Sequence, residues 1–323
     1  MALYLLNGAK TPVAFVKEDP LTPSYPTLPG SHFLTFQTPH LHLTVKELVT
    51  EFFTIRYNSF CFTKNQAIES HSGKRGLHSR ALFTSEAHYS IDGVGTVHQN
   101  EDTVLLLWSE AITCTALFEG GRQYEALDIY AAPGLVDQLA FFFPDLTRFS
   151  ETERLQLLLP NPCYITPRVK DIIHEILDCP YDERTSAFYF DLKVREYFYV
   201  LLEQRVRTVQ NKQHFSPYEK EQVYKAREIL LSDLTHAPLT IRELSRKVAL
   251  NECKLKTGFK HFFTVGVFEC FQHARMERAR HLVLTTHKPI KEIAALSGYP
   301  RMTNFITAFR KFFGYTPGEL RRG

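Results

Sequence analysis

Hydrophobic and polar positions follow two different rhythms along the chain. Between residues 41 and 132 the apolar positions come in short runs rich in β-branched and aromatic side chains. The runs are FFTIRYNSFCF (Phe52–Phe62), RALFTSEAHYSI (Arg80–Ile91), TVLLLWSE (Thr103–Glu110), TCTALFEG (Thr113–Gly120) and ALDIYAA (Ala126–Ala132). Asp92, Gly93, Asn100, Asp102, Gly120 and Gly121 punctuate them as turn residues. Such runs predict strands, and several at short spacing predict a small antiparallel barrel or sandwich. Ahead of them, Pro12, Pro20, Pro23, Pro26 and Pro29 forbid a long helix. Residues 1–40 are therefore expected to form an extended arm or edge strands.

From residue 133 the spacing turns helical. Gly134–Phe143 carries apolar residues at helical intervals and stops at Pro144. PRVKDIIHEIL (Pro167–Leu177) places Val169, Ile172, Ile173 and Ile176 on one face, with Pro167 suited to a helix start. Residues 186–211 predict a long helix with a wide stripe of Tyr189, Leu192, Tyr197, Leu201, Leu202 and Val206. That stripe serves either docking onto its own barrel or pairing of two copies. The polar stretch from Gln210 to Ser216 predicts a boundary. Beyond it, Ser216, Pro217 and Glu219 occupy cap, N1 and N3 of a helix reaching about Leu231. Its inward residues are Val223, Ala226, Ile229 and Leu230.

A half-motif then occurs twice. Ile241, Leu244 and Phe259 with KHFF correspond to Ile290, Ile293 and Phe309 with RKFF, and the register needs one extra residue in the second copy. In the first copy Thr240 caps a helix with Glu243 at the capping-box position; Ile241, Leu244 and Val248 face inward. Asn251 caps a second helix through Phe263, with Leu255, Phe259 and Phe262 inward. Glu252, Lys254, Lys256, Thr257 and Lys260 point outward. The second copy runs from Pro289 through Gly298 at the turn to Phe313, closed by Gly314 and Pro317. Each copy reads as a helix-turn-helix, whose second helix fits a DNA major groove. Between them, Val267–Thr285 predicts a helix with Phe268, Phe271, Ala274, Ala279 and Leu282 buried. Its 19 residues span roughly 30 Å, close to the ~34 Å of one DNA turn. The reading helices, about 251–263 and 301–313, would then enter successive major-groove segments.

Charge sharpens this division. Residues 217–323 hold 19 basic and 10 acidic side chains, whereas the remaining 216 hold 19 basic and 25 acidic. A basic third on an acidic remainder points to a polyanionic partner for that third alone. With 44% hydrophobic and 23% charged residues over 323 positions, the composition is that of globular domains. No apolar run of about 18 residues predicts a membrane span, and the N-terminus lacks a signal-peptide layout. A cytoplasmic location is expected. The six cysteines form no CxxC pair and read as reduced thiols.

The C-terminal stretch resembles the DNA-binding domain of the AraC/XylS family of bacterial transcription regulators. The two half-motifs, the joining segment VFECFQHARMERARHLVL and the ending SGYPRMTNFITAFRKFFGYTPGELRR carry the resemblance. The segment 160–202, with ITPRVKDIIHEIL and LKVREYFYVLL, is similar to regulators of the PchR type, whose relatives include siderophore-responsive ones. The family pattern implies reading residues Asn251, Cys253, Lys256, Thr257 and Lys260 in the first unit. In the second it implies Arg301, Thr303, Asn304, Thr307 and Arg310, with Lys311 an outward neighbour. Thr257 stands where many members carry arginine, and Cys253 replaces a larger residue. Gly258 inside the helix costs about 1 kcal/mol against alanine. The first unit is therefore the expected weaker reader, with Lys254, Lys256 and Lys260 holding phosphates. The resemblance further implies double-stranded promoter DNA and RNA polymerase as partners, a homodimer, and a small-molecule effector of unknown identity.

Other chemistries find little footing. His40 and His42 with Glu47 lack the glycine pattern of a metal triad, and His71, His78, His88 and His98 have no fixed ligand spacing. Neither a metal nor a cofactor is expected. Ser72–Gly76 (SGKRG) lacks the phosphate-loop pattern and reads as a mobile basic hairpin loop; no GxSxG elbow occurs. No catalytic residue is assigned, and the protein is not expected to be an enzyme. A barrel pocket lined by Phe52, Phe60, Phe62, Trp108 and Tyr130 is the effector-site expectation, resting on the usual apolar lining of such sites.

The expected whole is α+β. A cupin-like antiparallel β-barrel over 1–132 senses an effector, and a helical packing or dimerisation segment follows over 133–212. An all-α tandem helix-turn-helix domain over 213–323 binds DNA as an activator. The alternatives are a metal-dependent sensor enzyme in the barrel and a DNA binder that answers to no ligand.

Overall fold

The computed structural model describes residues 2–7, 9–18, 26–150, 155–158, 163–210, 215–263 and 265–322. The chain forms two compact units, Met1–Gln210 and Asn211–Gly323. The proline-rich stretch at 19–25, part of the expected arm, and residues 211–214 of the expected linker lie outside the described residues.

Strands fill the first part of the N-terminal unit. In chain order they are β1 (Ala2–Asn7), β2 (Ala9–Pro12), β3 (Val16–Glu18), β4 (His32–Thr38), β5 (Leu41–Val49), β6 (Phe53–Phe62), β7 (Gln66–Ser72) and β8 (Gly76–Leu82). Next come β9 (Ala87–Ile91), β10 (Gly95–Gln99), β11 (Thr103–Ser109), β12 (Ile112–Phe118) and β13 (Gln123–Ala131). After helices α1 (Pro133–Phe142) and α2 (Asp145–Ser150) come short strands β14 (Gln156–Leu157) and β15 (Cys163–Tyr164). Helices α3 (Pro167–Leu177) and α4 (Glu183–Gln210) complete the unit.

Among the described residues, the strands form two antiparallel sheets. One is six-stranded, ordered β10-β9-β12-β7-β1-β2. The other is nine-stranded, ordered β14-β11-β8-β13-β6-β5-β4-β3 with β15 beside β11. Both sheets stay open, so the expected barrel is instead a face-to-face sandwich. The run Arg80–Ile91, expected as one strand, is β8 and β9 in different sheets. Ser85, at φ +60°, turns the corner between them, and the Thr84 and Ser85 hydroxyls hold the Gln123 carbonyl. Residues 1–40 do supply strands, but β1 lies inside its sheet, between β7 and β2.

The nine-stranded sheet is covered on both faces, which explains its sequence. Toward the other sheet it presents Leu43, Phe60, Phe62, Leu105 and Leu107, packed with Leu5, Ile68, Tyr89 and Phe118. Toward the helices it presents Ile55, Leu77, Leu106, Trp108 and Ile129, packed with Leu135, Ile173, Phe190 and Phe198. A strand covered twice needs no alternation, and all seven residues of β11 are buried. Thr166 caps α3 through the Val169 amide. Asp182 accepts the Thr185 amide, so α4 begins earlier than the expected Ser186. The Ser79 and Tyr197 hydroxyls, 2.7 Å apart, tie β8 to α4. No helix among the described residues is long and apolar enough to cross a membrane.

The C-terminal unit is helical: α5 (Pro217–Leu231), α6 (Ile241–Lys247), α7 (Glu252–Phe263), α8 (Val267–Thr285), α9 (Ile290–Leu296), α10 (Met302–Phe313) and α11 (Pro317–Arg322). Capping boxes at Ser216/Glu219 and Thr240/Glu243 start α5 and α6.

Candidate nucleic-acid interface and ligand cavity

Helices α6 and α7, then α9 and α10, form the two helix-turn-helix pairs, and α8 runs between them. On α10, Phe305 and Phe309 are fully buried against Met276, Ala279, Val283 and Ile293. Burying that face turns the other outward. Arg301, Thr303, Asn304, Thr307, Arg310 and Lys311 are all exposed. Thr307 donates its hydroxyl to the Thr303 carbonyl at 3.0 Å. Gly314, at φ +84°, closes the helix.

Helix α7 presents a similar but reduced face. Cys253, Lys256 and Lys260 are exposed and Thr257 is half-buried, at helical spacing around Leu255 and Phe259. Asn251 accepts the Lys254 amide at 2.7 Å, so its side-chain oxygen serves as the helix cap. The Lys254 ammonium lies 3.1 Å from Glu219 Oε1 and 4.7 Å above the Phe215 ring. This charge ties α7 to the start of α5, instead of standing free on the outward face where the sequence places it. Gly258 has a packing reason. A Cβ there would meet Val223 Cγ2 at 2.5 Å, so the residue lets α5 and α7 approach. The helix-propensity cost expected from sequence is thus the condition for this contact. Two burial expectations also change. Phe263, and not Phe262, joins Phe259 as a fully buried ring of α7, and Phe268 on α8 is 60% exposed.

The turn of the second pair rests on a buried arginine. Arg275, on α8, donates Nε to the Leu234 carbonyl at 3.0 Å and Nη2 to the His236 carbonyl. Its guanidinium stacks over Phe271 at 4.4 Å. Gly298, at φ +71°, sits against this group: a Cβ would lie 2.5 Å from the Thr235 carbonyl oxygen and 2.8 Å from Arg275 Nη2.

In the N-terminal unit a cavity of about 140 Å³ opens between the two sheets. Its floor is a row of charges across three strands. Asp128 on β13 faces Arg56 on β6 and Arg80 on β8. Arg80 binds Asp128 in a two-pronged pair, with both distances 2.7 Å. Asn58 donates to the same carboxylate at 3.0 Å, and Arg56 pairs with Glu47. Burial opposes ionisation of Asp128, but the Arg80 charge and hydrogen bonds overcome it and hold the carboxyl below its usual range. Tyr89 from the facing sheet lies over the Arg80 guanidinium at 5.6 Å.

The β7–β8 loop forms the cavity's rim. Tyr130 donates its hydroxyl to the Arg75 carbonyl at 2.7 Å, and His78 Nε2 donates to the Lys74 carbonyl at 3.0 Å. Burial pushes His78 down to about 4, so it is neutral near pH 7. At Gly76 a Cβ would stand 2.2 Å from the Ala131 carbonyl oxygen. The loop expected to be mobile is therefore pinned, and it carries Lys74 to the cavity. There the ammonium meets Thr54 Oγ1 at 3.2 Å and the Tyr130 ring at 5.2 Å. It has no carboxylate partner among the described residues.

Of the five expected pocket residues, Tyr130 alone lines this cavity. Phe60 and Phe62 are spent in the inter-sheet core, where Phe62 stacks on Phe118 at 4.7 Å. Trp108 belongs to the core beneath the helices. Phe52 lies outside β6 and is 38% exposed, its ring beside Gly134. Sequence reasoning missed Arg56, Lys74, His78, Arg80 and Asp128. The available signal was a charged residue interrupting an apolar strand, as in FTIRYNSF, LHSRALF and ALDIYA. His40 and His42 are exposed and Glu47 is held by Arg56, so no triad forms there. His88 and His98, scattered in sequence, become cross-strand neighbours.

Residues 53–214, half of the chain, match the family described as the regulatory protein PchR N-terminal domain. Residues 244–323 match the helix-turn-helix domain family. The HTH-type transcriptional regulator ArgR of Pseudomonas aeruginosa is 30% identical over 93 residues, 29% of this chain and 28% of that protein. The xylose operon regulatory protein of Escherichia coli K12 is 30% identical over 74 residues, 23% of this chain and 19% of that one. The chain thus spans well under half the length of these relatives. Among solved structures, ToxT of Vibrio cholerae with a bound unsaturated fatty acid aligns over 84% of this chain and 95% of its own, at 15% identity and a TM-score of 0.32. With both halves matched, the chain belongs to the AraC/XylS family of regulators, in the group with a PchR-type N-terminal domain.

Proposed function

We propose that this protein is a DNA-binding transcription regulator that responds to a small effector. The observation carrying the DNA half is the outward face of α10. Six polar or basic side chains stand there at helical spacing, opposite two fully buried phenylalanines. Arg301, Thr303, Asn304, Thr307, Arg310 and Lys311 are its readers and phosphate contacts. On α7 Cys253, Lys256, Thr257 and Lys260 are the corresponding set. Asn251 and Lys254 serve mainly to cap and tie that helix, which leaves α7 the smaller share of readout.

Gel shifts with DNA upstream of the protein's own gene test this reading. Arg310→Ala should weaken every sequence alike and reduce the salt slope by about 1, as loss of one phosphate contact does. Asn304→Ala should instead relax preference at one base, by about 1–3 kcal/mol. An unchanged selected site in Asn304→Ala would remove that residue from the readers, and absence of specific binding at moderate salt would sink the whole proposal.

The effector half rests on the cavity. Glu47 balances Arg56 and Asp128 balances Arg80, which leaves Lys74 as excess positive charge above an apolar wall of Ile91, Leu105 and Leu107. A cavity of about 150 Å³ holds a benzene ring. The fitting effector is therefore a compact anion with a ring-sized apolar body. Thermal-shift titration should show benzoate stabilising the protein more than its neutral analogue benzamide. Lys74→Gln should weaken the benzoate response about 10- to 100-fold, the worth of a hydrogen bond to a charged group. Equal responses to both compounds would count against an anionic effector. This cavity favours a ligand-responsive regulator over one that answers to none.

The wider reading is a homodimeric activator in the cytoplasm that engages RNA polymerase at its promoter and performs no catalysis. Support for pairing comes from α4, which leaves Phe188, Leu192 and Tyr199 exposed along one stripe.

A further inference from the structure

The β9–β10 hairpin gathers a donor set that the regulator reading does not use. His88 and His98 are directly paired across the two strands. Their rings stack face to face, with centroids 4.3 Å apart and planes within 4°. Glu86, just ahead of β9, reaches His98 Nε2 with Oε2 at 3.1 Å. One ligand atom from each of the three residues lies within 4.8 Å of the others. The alternation of the hairpin fixes which way they face. Ala87, Tyr89, Ile91, Val97 and Gln99 are buried in the sandwich, so His88 and His98 stand on the outer surface. The other Glu86 oxygen lies 3.9 Å from Arg122 Nη1, and Arg122 is itself paired with Glu119 at 2.9 Å. The carboxylate is thus aimed at the two imidazoles from a charge-balanced support.

We propose that Glu86, His88 and His98 form a binding site for a divalent transition metal of the Zn²⁺, Ni²⁺ or Cu²⁺ class. Two imidazoles and one carboxylate suit these borderline ions and leave outer positions for water or an external ligand. A tetrahedral zinc needs ligand atoms about 3.4 Å apart, from metal–ligand distances near 2.1 Å. The Glu86–His98 separation of 3.1 Å is already near that spacing, and no ligand atom of the set lies more than 4.8 Å from another. The bound ion would join the residue ahead of β9 to β10, the edge strand of the six-stranded sheet. The stability of the N-terminal unit would then depend on metal concentration.

Isothermal titration of the full-length, tag-free protein with zinc chloride, after chelator treatment, tests the site. Wild-type protein should take one ion that the His88→Ala/His98→Ala double variant does not take, and zinc should raise the melting temperature of the wild type only. Glu86→Gln should weaken binding at least tenfold while leaving the fold intact. His40→Ala/His42→Ala should leave that ion in place. Loss of the ion in that control, unchanged binding in the hairpin double variant, or no zinc uptake by the wild type would each overturn the proposal.

Discussion

Asp128→Ala is expected to destabilise the N-terminal unit by about 3 kcal/mol, the lower end of the roughly 3–5 kcal/mol seen when a buried ion pair loses one partner. The lower end applies because Arg80 and Asp128 keep 26% and 20% side-chain accessibility, opening onto the cavity they line. Removing the carboxylate leaves Arg80 without its two 2.7 Å bonds, facing Arg56 along the same row with no charge between them. Asn58 also loses an acceptor. Urea unfolding of the full chain, followed by the fluorescence of Trp108 in this unit, measures the loss. The double replacement Arg80→Met/Asp128→Leu should recover most of it, because the penalty comes from the orphaned charge and not from the absence of the pair. A cost below about 1 kcal/mol for the single variant would show that cavity water screens the pair.

Gly298→Ala is the second large effect, expected at about 2–6 kcal/mol in the C-terminal unit. Two separate penalties add. A non-glycine residue at φ +71° costs about 1–3 kcal/mol. The new methyl would also stand 2.5 Å from the Thr235 carbonyl oxygen, and overpacking costs a further 1–3 kcal/mol or so. That carbonyl cannot retreat easily, because Arg275 holds the carbonyls on either side of it, at Leu234 and His236. Circular dichroism melts should show a lowered transition for the helical unit, with DNA binding lost in parallel. Gly314→Ala serves as the comparison. It has a similar φ of +84° but nothing within 4 Å of the added Cβ, so it should lose only the conformational part. Equal losses in the two variants would argue against the steric contribution.

The contrast between these glycines indicates what a single chain can disclose. Patterns that depend on local spacing were readable. The capping boxes at Ser216 and Thr240, the inward Leu255 and Phe259, and the helix-ending glycines Gly298 and Gly314 all follow from a few adjacent residues. Contacts between distant segments were not. Nothing near Gly258 announces Val223, and nothing near Lys254 announces Glu219 as its partner. Sandwich topology hid most. His88 and His98 are ten positions apart, and only the hairpin register makes them neighbours. Phe60, Phe62 and Trp108 were drawn to a pocket because aromatic residues suit one, yet a sheet covered on both faces uses such rings as core. The cavity sets a floor of charged residues against an aliphatic wall, and a search for aromatic lining passes over both.

Strand β8 has one more consequence. His78, Ser79 and Arg80 all border the cavity, and the Ser79 hydroxyl also meets the Tyr197 hydroxyl of α4 at 2.7 Å. The space where an effector would sit and the longest helix of the unit are thus separated by the thickness of one peptide. Under the proposed function, a guest that pulls on Arg80 would tug the same backbone segment that grips Tyr197. The sheet between them acts as a shared wall, so a message from one room to the other has no corridor to travel.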